Sequence, residues 1–418
     1  MRRYLLFALA LLLFVGCARP TLRPQVEDTV KTVQAVYLPA HGEALINSQA
    51  AYEGFAMELF AHITRGNGQN PAISPASAYF ALAMAANGSS AETEAAFTKT
   101  LGLSTAERNS VCLALAQSLN KARGGTNISI ANSAWVNKGL IIQKNFLGVL
   151  EGTYGADMFQ ADLYSEAARQ AINQWVEDKT KGMIPQLFEE PLRGDDLVMV
   201  LINAIYLSAK WEYPLDVYTH KGEFYVSDTE NMQADFMQGK VNELNYIEKD
   251  GAKGVVLPYD DGRLAFVALM PKEGESVRRL AEGLQSSPLS EYLAAGVEKP
   301  VMVTMPKFSV EYGIESFKGA LMDMGLSDAF DPGTAEFPNM VVKTEGMGPI
   351  YISDVLQKVR IDVHEMGTEA AAATAVIMDA GGAAQELEIL IFDSPFLYAV
   401  LDLETGLPLF MGLMERPV

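Results

Sequence analysis

Cysteine and histidine are nearly absent from this chain, and basic residues are heavily outnumbered. Of 418 residues, two are cysteines and four are histidines, and Lys and Arg together number 32 against 52 Asp and Glu. Cys17 and Cys112 allow one disulfide at most, so no disulfide framework holds the fold. His41, His62, His220 and His364 are each isolated, without a partner at metal-ligand spacing, which argues against a metal site. No Gly-x-Ser-x-Gly elbow, phosphate-binding loop or dinucleotide fingerprint occurs. With 52 carboxylates, a close pair of acids is expected by chance and reads as a solvated face. An enzymatic function therefore has no constellation behind it, and no cofactor is implied. The net charge of −20 repels phosphate backbones and argues against nucleic acid and heparin-like polyanions as partners.

What is present is apolar and long. Hydrophobic residues make up 49% of the chain, and no Gly/Ser/Pro-rich linker or charge block divides residues 50–418. One large domain is the simplest organisation, and a chain of this length buries roughly three quarters of its unfolded surface. The first residues, MRRYLLFALALLLFVGCARP, combine a basic start with an apolar run from Leu5 to Val15. That run is too short to span a bilayer and reads as the core of a signal peptide. Gly16-Cys17 resembles a bacterial lipoprotein cleavage box, which implies cleavage before Cys17 and lipid attachment there. Loss of residues 1–16 removes Arg2 and Arg3 and takes the net charge from −20 to −22. The expected division is then a signal peptide over 1–16, a lipid anchor and Pro-containing tether over 17–46, and a folded domain over 47–418. Ala18 carries no inner-membrane retention cue, which points to an outer membrane or cell surface; plain secretion is the alternative. A lipidated Cys17 leaves Cys112 as a buried free thiol on a helix.

Along the domain, periodicity predicts helices over Asn47–Arg65, Pro75–Asn87, Gln143–Tyr154, Ala167–Thr180, Ser276–Ala294 and Ile314–Met324, with another starting after Gly88-Ser89. Strands are predicted over Ile128–Val136, Gly222–Val226, Asn242–Tyr246, Gly254–Leu257, Arg263–Met270, Val301–Tyr312, Val359–Glu365, Leu387–Phe392 and Phe396–Leu401. Leu197–Leu207 is a continuous apolar run broken only by Asn203, the pattern of a strand buried on both faces. Helices dominate the first half and strands the second, an α+β arrangement.

One stretch fits no ordinary element: EMGTEAAAATAVIMDAGGAAQ, residues 365–385. Its alanines favour a helix, but no apolar stripe runs at helical spacing, and Gly367 and Gly381-Gly382 stand at its ends. At a period of two it separates cleanly. Thr368, Ala370, Ala372, Thr374 and Val376 form one face, small or β-branched and uncharged. Glu369, Ala371, Ala373 and Ala375 form the other. Such a segment either lies exposed as a low-complexity linker or slides as a strand into a sheet.

The strands on either side carry a family resemblance. GTEAAAATAV is similar to the hinge of the serpins, and FDSPFLYAVLDLETGLPLFMGLMERP to their carboxyl terminus. NPAISPASAYFALAMAANGSSAET, LINAIYLSAKWEYPLD, VVLPYDDGRLAFVALMPKE and VTMPKFSVEYGIESFKGALMDMGLSDAFDP follow the family in order and spacing across nearly all of residues 48–418. The resemblance implies three β-sheets, about eight or nine helices and an exposed reactive loop, residues 365–386 here.

It also implies a function: irreversible covalent inhibition of a serine protease by a monomer. The protease attacks a loop bond and forms an acyl-enzyme. The cut loop then inserts as a central strand of the main sheet and the protease is trapped. Serpin loop insertion is itself a standing example of such switches, so the mechanism arrives with the resemblance. These residues suit it, because the inward set Thr368 to Val376 contains no charge, and an unpaired buried charge costs several kcal/mol. The alternative is a non-inhibitory member, a binding protein or a mere protease substrate.

Residue by residue, the resemblance assigns Glu365, Gly367, Thr368, Glu369 and Ala370 to Ala373 to the hinge, with Lys307 as partner of Glu365. It assigns Ser74, Ser77, Asn203 and Trp211 to the region where the sheet opens. Gln357 departs from the family, which usually has a histidine there bonded to the Asn203 position. Counting from the hinge puts the scissile bond at Gly381-Gly382, while counting back from FDSPF puts it nearer Ala384-Gln385. Ala380, Ala383, Ala384 and Met378 remain alternatives. Small residues suit the narrow pockets of elastase-like or subtilisin-like enzymes, and Met378 suits a chymotrypsin-like one. No Lys or Arg lies between Arg360 and Arg416, which excludes trypsin-like targets.

Overall fold

The structure, a computed structural model, describes residues 42–66, 68–119, 126–193, 198–368 and 387–417. The first half runs α1 (Gly42–Thr64), β1 (Ala72–Ile73), α2 (Pro75–Ala86), α3 (Ala91–Leu101), α4 (Thr105–Leu119), β2 (Asn127–Asn137), α5 (Lys144–Tyr154), β3 (Asp157–Ala161), α6 (Glu166–Lys179) and β4 (Met199–Lys210). The second half is mostly strand: β5 (Tyr218–Ser227), β6 (Glu230–Gln238), β7 (Asn242–Lys249), β8 (Ala252–Pro258), β9 (Leu264–Met270), β10 (Val297–Pro306), β11 (Phe308–Ser316), β12 (Leu356–His364), β13 (Gly367–Thr368), β14 (Glu388–Ile391), β15 (Phe396–Asp402) and β16 (Pro408–Met414). Short helices at Val277–Gly283, Leu289–Ala294, Lys318–Leu321 and Ser327–Phe330 interrupt it, with a π-helical turn at Met322–Leu326.

Local chemistry accounts for the best-defined elements. Ser74 caps α2 by accepting a hydrogen bond from the Ser77 N–H, and Pro75 fills the first turn, where no N–H is needed. α2 is buried nearly all round, as PASAYFALAMAA requires. Cys112 is a fully buried free thiol on α4, and burial raises its pKa.

Three expectations are corrected. The single strand expected over Val301–Tyr312 is two strands, because the chain leaves one sheet for another at Lys307. The helix expected over Ile314–Met324 begins only at Lys318, since β11 continues to Ser316 beside β12. The helix expected over Ser276–Ala294 is broken into two by Ser286-Ser287-Pro288, where Pro288 supplies no N–H to continue the ladder.

Hydrogen bonding joins the strands into two networks. The smaller is a six-stranded sheet in the order β11-β12-β13-β4-β2-β3. The larger holds ten strands in the order β1-β16-β15-β9-β8-β7-β10-β6-β5, with β14 also on β10. It branches at β10, whose first half pairs with β7 and whose second half pairs with β6. The three sheets expected are therefore the six-stranded sheet and the two arms of this network. The main core lies between them, with α1 and α2 at its centre. A second apolar cluster of Trp135, Ile172, Trp175, Ile184, Ile202 and Ala204 covers the opposite face of β4 with α6. The middle of the six-stranded sheet is thus covered on both faces.

Candidate functional site

β4 pairs along one edge with β2, from Met199↔Val136 to Ser208↔Asn127. Along its other edge the only described partner is the two-residue β13, through Gly367↔Lys210 and Thr368↔Ala209. β12 is the mirror case, paired with β11 outside and, inside, among the described residues only with β13 through Val363↔Thr368 and His364↔Gly367. Both walls are antiparallel to β13, so they run parallel to each other. Below β13 they enclose a cavity of about 640 Å³, bounded by Val198–Ile205 and Val355–Arg360 and floored by Ala81, Leu82, Ala85 and Phe410. Among the described residues the sheet has a seam, closed at the top by two residues and open beneath.

α2 is tied to both walls of that seam. On one side the Ser77 hydroxyl donates to the backbone oxygen of Asn203, 3.3 Å away. On the other, the Gln357 amide makes two bonds to the backbone of Ser74. Its oxygen accepts from the Ser74 N–H at 2.8 Å, and its nitrogen donates to the Ser74 carbonyl at 2.9 Å. The Ser74 hydroxyl also donates to the Leu409 carbonyl at 2.7 Å, which fixes the helix start on β16. Gln357 therefore bonds to α2 and not to Asn203. Asn203 donates to Asn132 at 2.7 Å, and Asn132 in turn donates to the Tyr154 carbonyl at 2.8 Å. This chain of donors leaves the buried Oδ1 of Asn203, on the cavity wall, without a hydrogen-bond partner among the described residues. Such an orphan costs about 1–3 kcal/mol and is seldom retained without a use.

The hinge is held at the top of the seam. Gly367 has φ +150°, and a Cβ there would meet the Ala209 carbonyl oxygen at 2.0 Å, so only glycine fits. Thr368 is 1% exposed, and its hydroxyl lies 2.6 Å from that of Tyr259. The first member of the uncharged face thus points inward. Trp211 closes the end of the seam: its N–H donates to the Met366 carbonyl and its indole to the His364 carbonyl, each at 2.9 Å. Its ring stacks on Tyr259 with centroids 4.8 Å apart. Lys307 donates to Glu365 at 3.0 Å. Burial works to raise the Glu365 pKa, but a backbone hydrogen bond and Lys307 outweigh it and hold the carboxyl below its usual range. Burial lowers the pKa of His364, against the pull of Glu365 and Asp362.

The structure therefore brings Ser74, Ser77, Asn203, Gln357, Trp211, Lys307, Glu365, Gly367 and Thr368 to one seam. Tyr259 went unforeseen; it stands just before the Asp260-Asp261-Gly262 turn, and only its distant pairing with Trp211 reveals its part. Cys17, Glu369, Ala370 to Ala373, Met378, Ala380, Gly381, Gly382, Ala383 and Ala384 lie outside the described residues.

A sheet with a built-in seam and a hinge glycine and threonine seated at its top define a class of protein. Residues 50–417 match the family model described as Serpin (serine protease inhibitor). The chain belongs to the serpin family, whose members are generally protease inhibitors. An uncharacterized serpin-like protein of Thermococcus kodakarensis is 32% identical over 100% of this chain and 99% of its own length. The leukocyte elastase inhibitor of Homo sapiens is 31% identical over 87% of this chain and 97% of its own. Among solved structures, the native state of the thermophilic serpin tengpin is 32% identical with a TM-score of 0.81, over 90% of this chain and 95% of that one. The latent state of the same protein scores 0.75, over 88% and 97%.

Proposed function

We propose that this chain is an irreversible inhibitor of serine proteases with elastase-like or subtilisin-like specificity, working by cleavage and insertion of residues 365–386. The observation that carries the reading is Thr368, buried between β4 and β12 directly above the cavity. The greater likeness to a native than to a latent serpin agrees with a seam still open to a strand. In the step proposed, the protease serine attacks a carbonyl among Ala380 to Ala384, with Met378 a lesser candidate. An ester forms and the new amino terminus departs. The freed segment then adds as a strand between β4 and β12. About a dozen new hydrogen bonds at roughly 1 kcal/mol each give on the order of 10 kcal/mol. That rivals the total stability of a typical domain, about 5–15 kcal/mol. Insertion can therefore do mechanical work on a bound protease. The name of the human elastase-inhibitor relative agrees with the small residues around Gly381-Gly382.

Mixing with pancreatic elastase followed by a denaturing gel tests this directly. A covalent band at the summed mass supports inhibition, whereas clean cleavage alone refutes it. We also propose that the protein acts as a monomer anchored to a bacterial membrane through a lipid on Cys17. Labelling with a radioactive fatty acid should mark the wild type and leave Cys17→Ala blank. Equal labelling of the two would remove the anchor from the account.

A further inference from the structure

The uncut protein already contains the beginning of the strand that cleavage is meant to complete. Gly367 and Thr368 pair with β12 on one side and β4 on the other, as members of a central strand do. Their seat is specific. Gly367 fits only as glycine against the Ala209 carbonyl. Thr368 has a single described side-chain bond, to the Tyr259 hydroxyl at 2.6 Å, and Tyr259 is itself completely buried. Tyr259 does not float. Its backbone N–H donates to the Leu264 carbonyl, and it bridges Trp211 in register. Its ring is clamped parallel to Trp211. The hydroxyl is therefore aimed, from the turn just after β8, at the side-chain oxygen of the hinge residue that has entered the seam.

We propose that Tyr259 is the positioning residue of the hinge: its hydroxyl keeps Gly367-Thr368 pre-seated as the first pair of the missing strand. This seat then sets the partition between trapping a protease and merely being cut by it. The proposal rests on the inhibitory reading for its second half only. A seated hinge gives insertion a nucleus, because the first strand pairs are formed before the cut and only propagation remains. Without it, the freed loop must find register first while the acyl-enzyme has time to hydrolyse.

Tyr259→Phe removes only the hydroxyl and keeps the ring under Trp211, so it tests the bond and not the fold. Thr368→Val removes the other partner at similar volume. Hydrogen exchange of the peptide containing Gly367 and Thr368, read by mass spectrometry on the uncut protein, needs no protease. Loss of one net hydrogen bond predicts about fivefold to tenfold faster exchange in either variant. The double variant should exchange no faster than the single ones. Against pancreatic elastase, the moles of inhibitor consumed per mole of enzyme should rise severalfold in Tyr259→Phe, while the rate of first association stays at the wild-type value. Exchange unchanged from wild type, or single effects that simply add in the double variant, would overturn the latch. Faster exchange with an unchanged stoichiometry would keep the seat and overturn its role in partition. A wild type that forms no covalent complex would refute the inhibitory reading, and the exchange result would still decide the latch.

Discussion

The ten-stranded network and the six-stranded sheet are built from the same residue types and end in opposite states. In the network, β15 and β16 are buried at every position, and β15 pairs on both sides, with β16 and with β9. In the sheet, β4 and β12 are partnered outside but share only two residues of β13 within, above a cavity of about 640 Å³. One region is finished and holds the protein together. Among the described residues the other is left incomplete, and on the proposed mechanism that gap is a store of free energy that a suitable strand can release. The bonds from Ser77 of α2 to the Asn203 backbone and from Gln357 to the Ser74 backbone brace that gap from below, and Trp211, Tyr259 and Thr368 close it above.

Substitutions in the two regions should therefore behave differently. The largest effect is expected from Thr368→Arg, which places a charge where the native side chain is 1% exposed. Burying it unpaired costs several kcal/mol. Insertion should fail, and the protein should become a substrate whose inhibitory stoichiometry rises at least about tenfold, a factor equal to only ~1.4 kcal/mol. An unchanged stoichiometry would remove the distinction between the two regions.

Next is Leu397→Ala in β15, fully buried in the finished network. It should cost about 2–5 kcal/mol. The loss should appear equally in intact and loop-cleaved protein by thermal or denaturant melting, because this strand is complete in both. A loss confined to one form would contradict that.

A smaller effect is predicted for Gln357→Ala, which strands the buried Ser74 N–H. It should cost about 1–3 kcal/mol in the intact protein. It should also speed hydrogen exchange along Leu356–Val359, measured by mass spectrometry. A variant with unaltered exchange there would show that Gln357 does not brace the wall.

The smallest is a pH effect. The folded state lowers the pKa of His364, so the unfolded chain takes up that proton first. Its contribution to stability is complete above the unfolded value, about 6.5, and is lost as pH falls below it. Melting between pH 7.5 and 5 should reveal a slope that is reduced in His364→Asn. An identical slope would place the titration elsewhere.

Much of this contrast was legible in the sequence. The unbroken apolar run at Leu197–Leu207 announces a strand covered on both faces, and α6 and α2 do cover β4. The period of two from Thr368 onward puts that threonine on the inward face, where it lies. What escaped was non-local. The bonds between Ser74 and Gln357 join residues 283 apart, and that between Tyr259 and Thr368 joins residues 109 apart. No local pattern encodes such meetings. The switch of sheets at Lys307 is likewise hidden, because a strand keeps its alternation while changing partners. β6 was missed because its outer face is polar and its apolar positions, Ala234, Phe236 and Met237, crowd at one end.

The central claim is that the seam stores energy which the cut loop releases. The most direct measurement is the melting temperature of the intact protein against that of the same protein cleaved once in the loop. A gain of about 10 kcal/mol, at about 2 °C per kcal/mol, predicts that the cleaved form melts at least about 20 °C higher. Equal or lower melting of the cleaved form would contradict the account at its root.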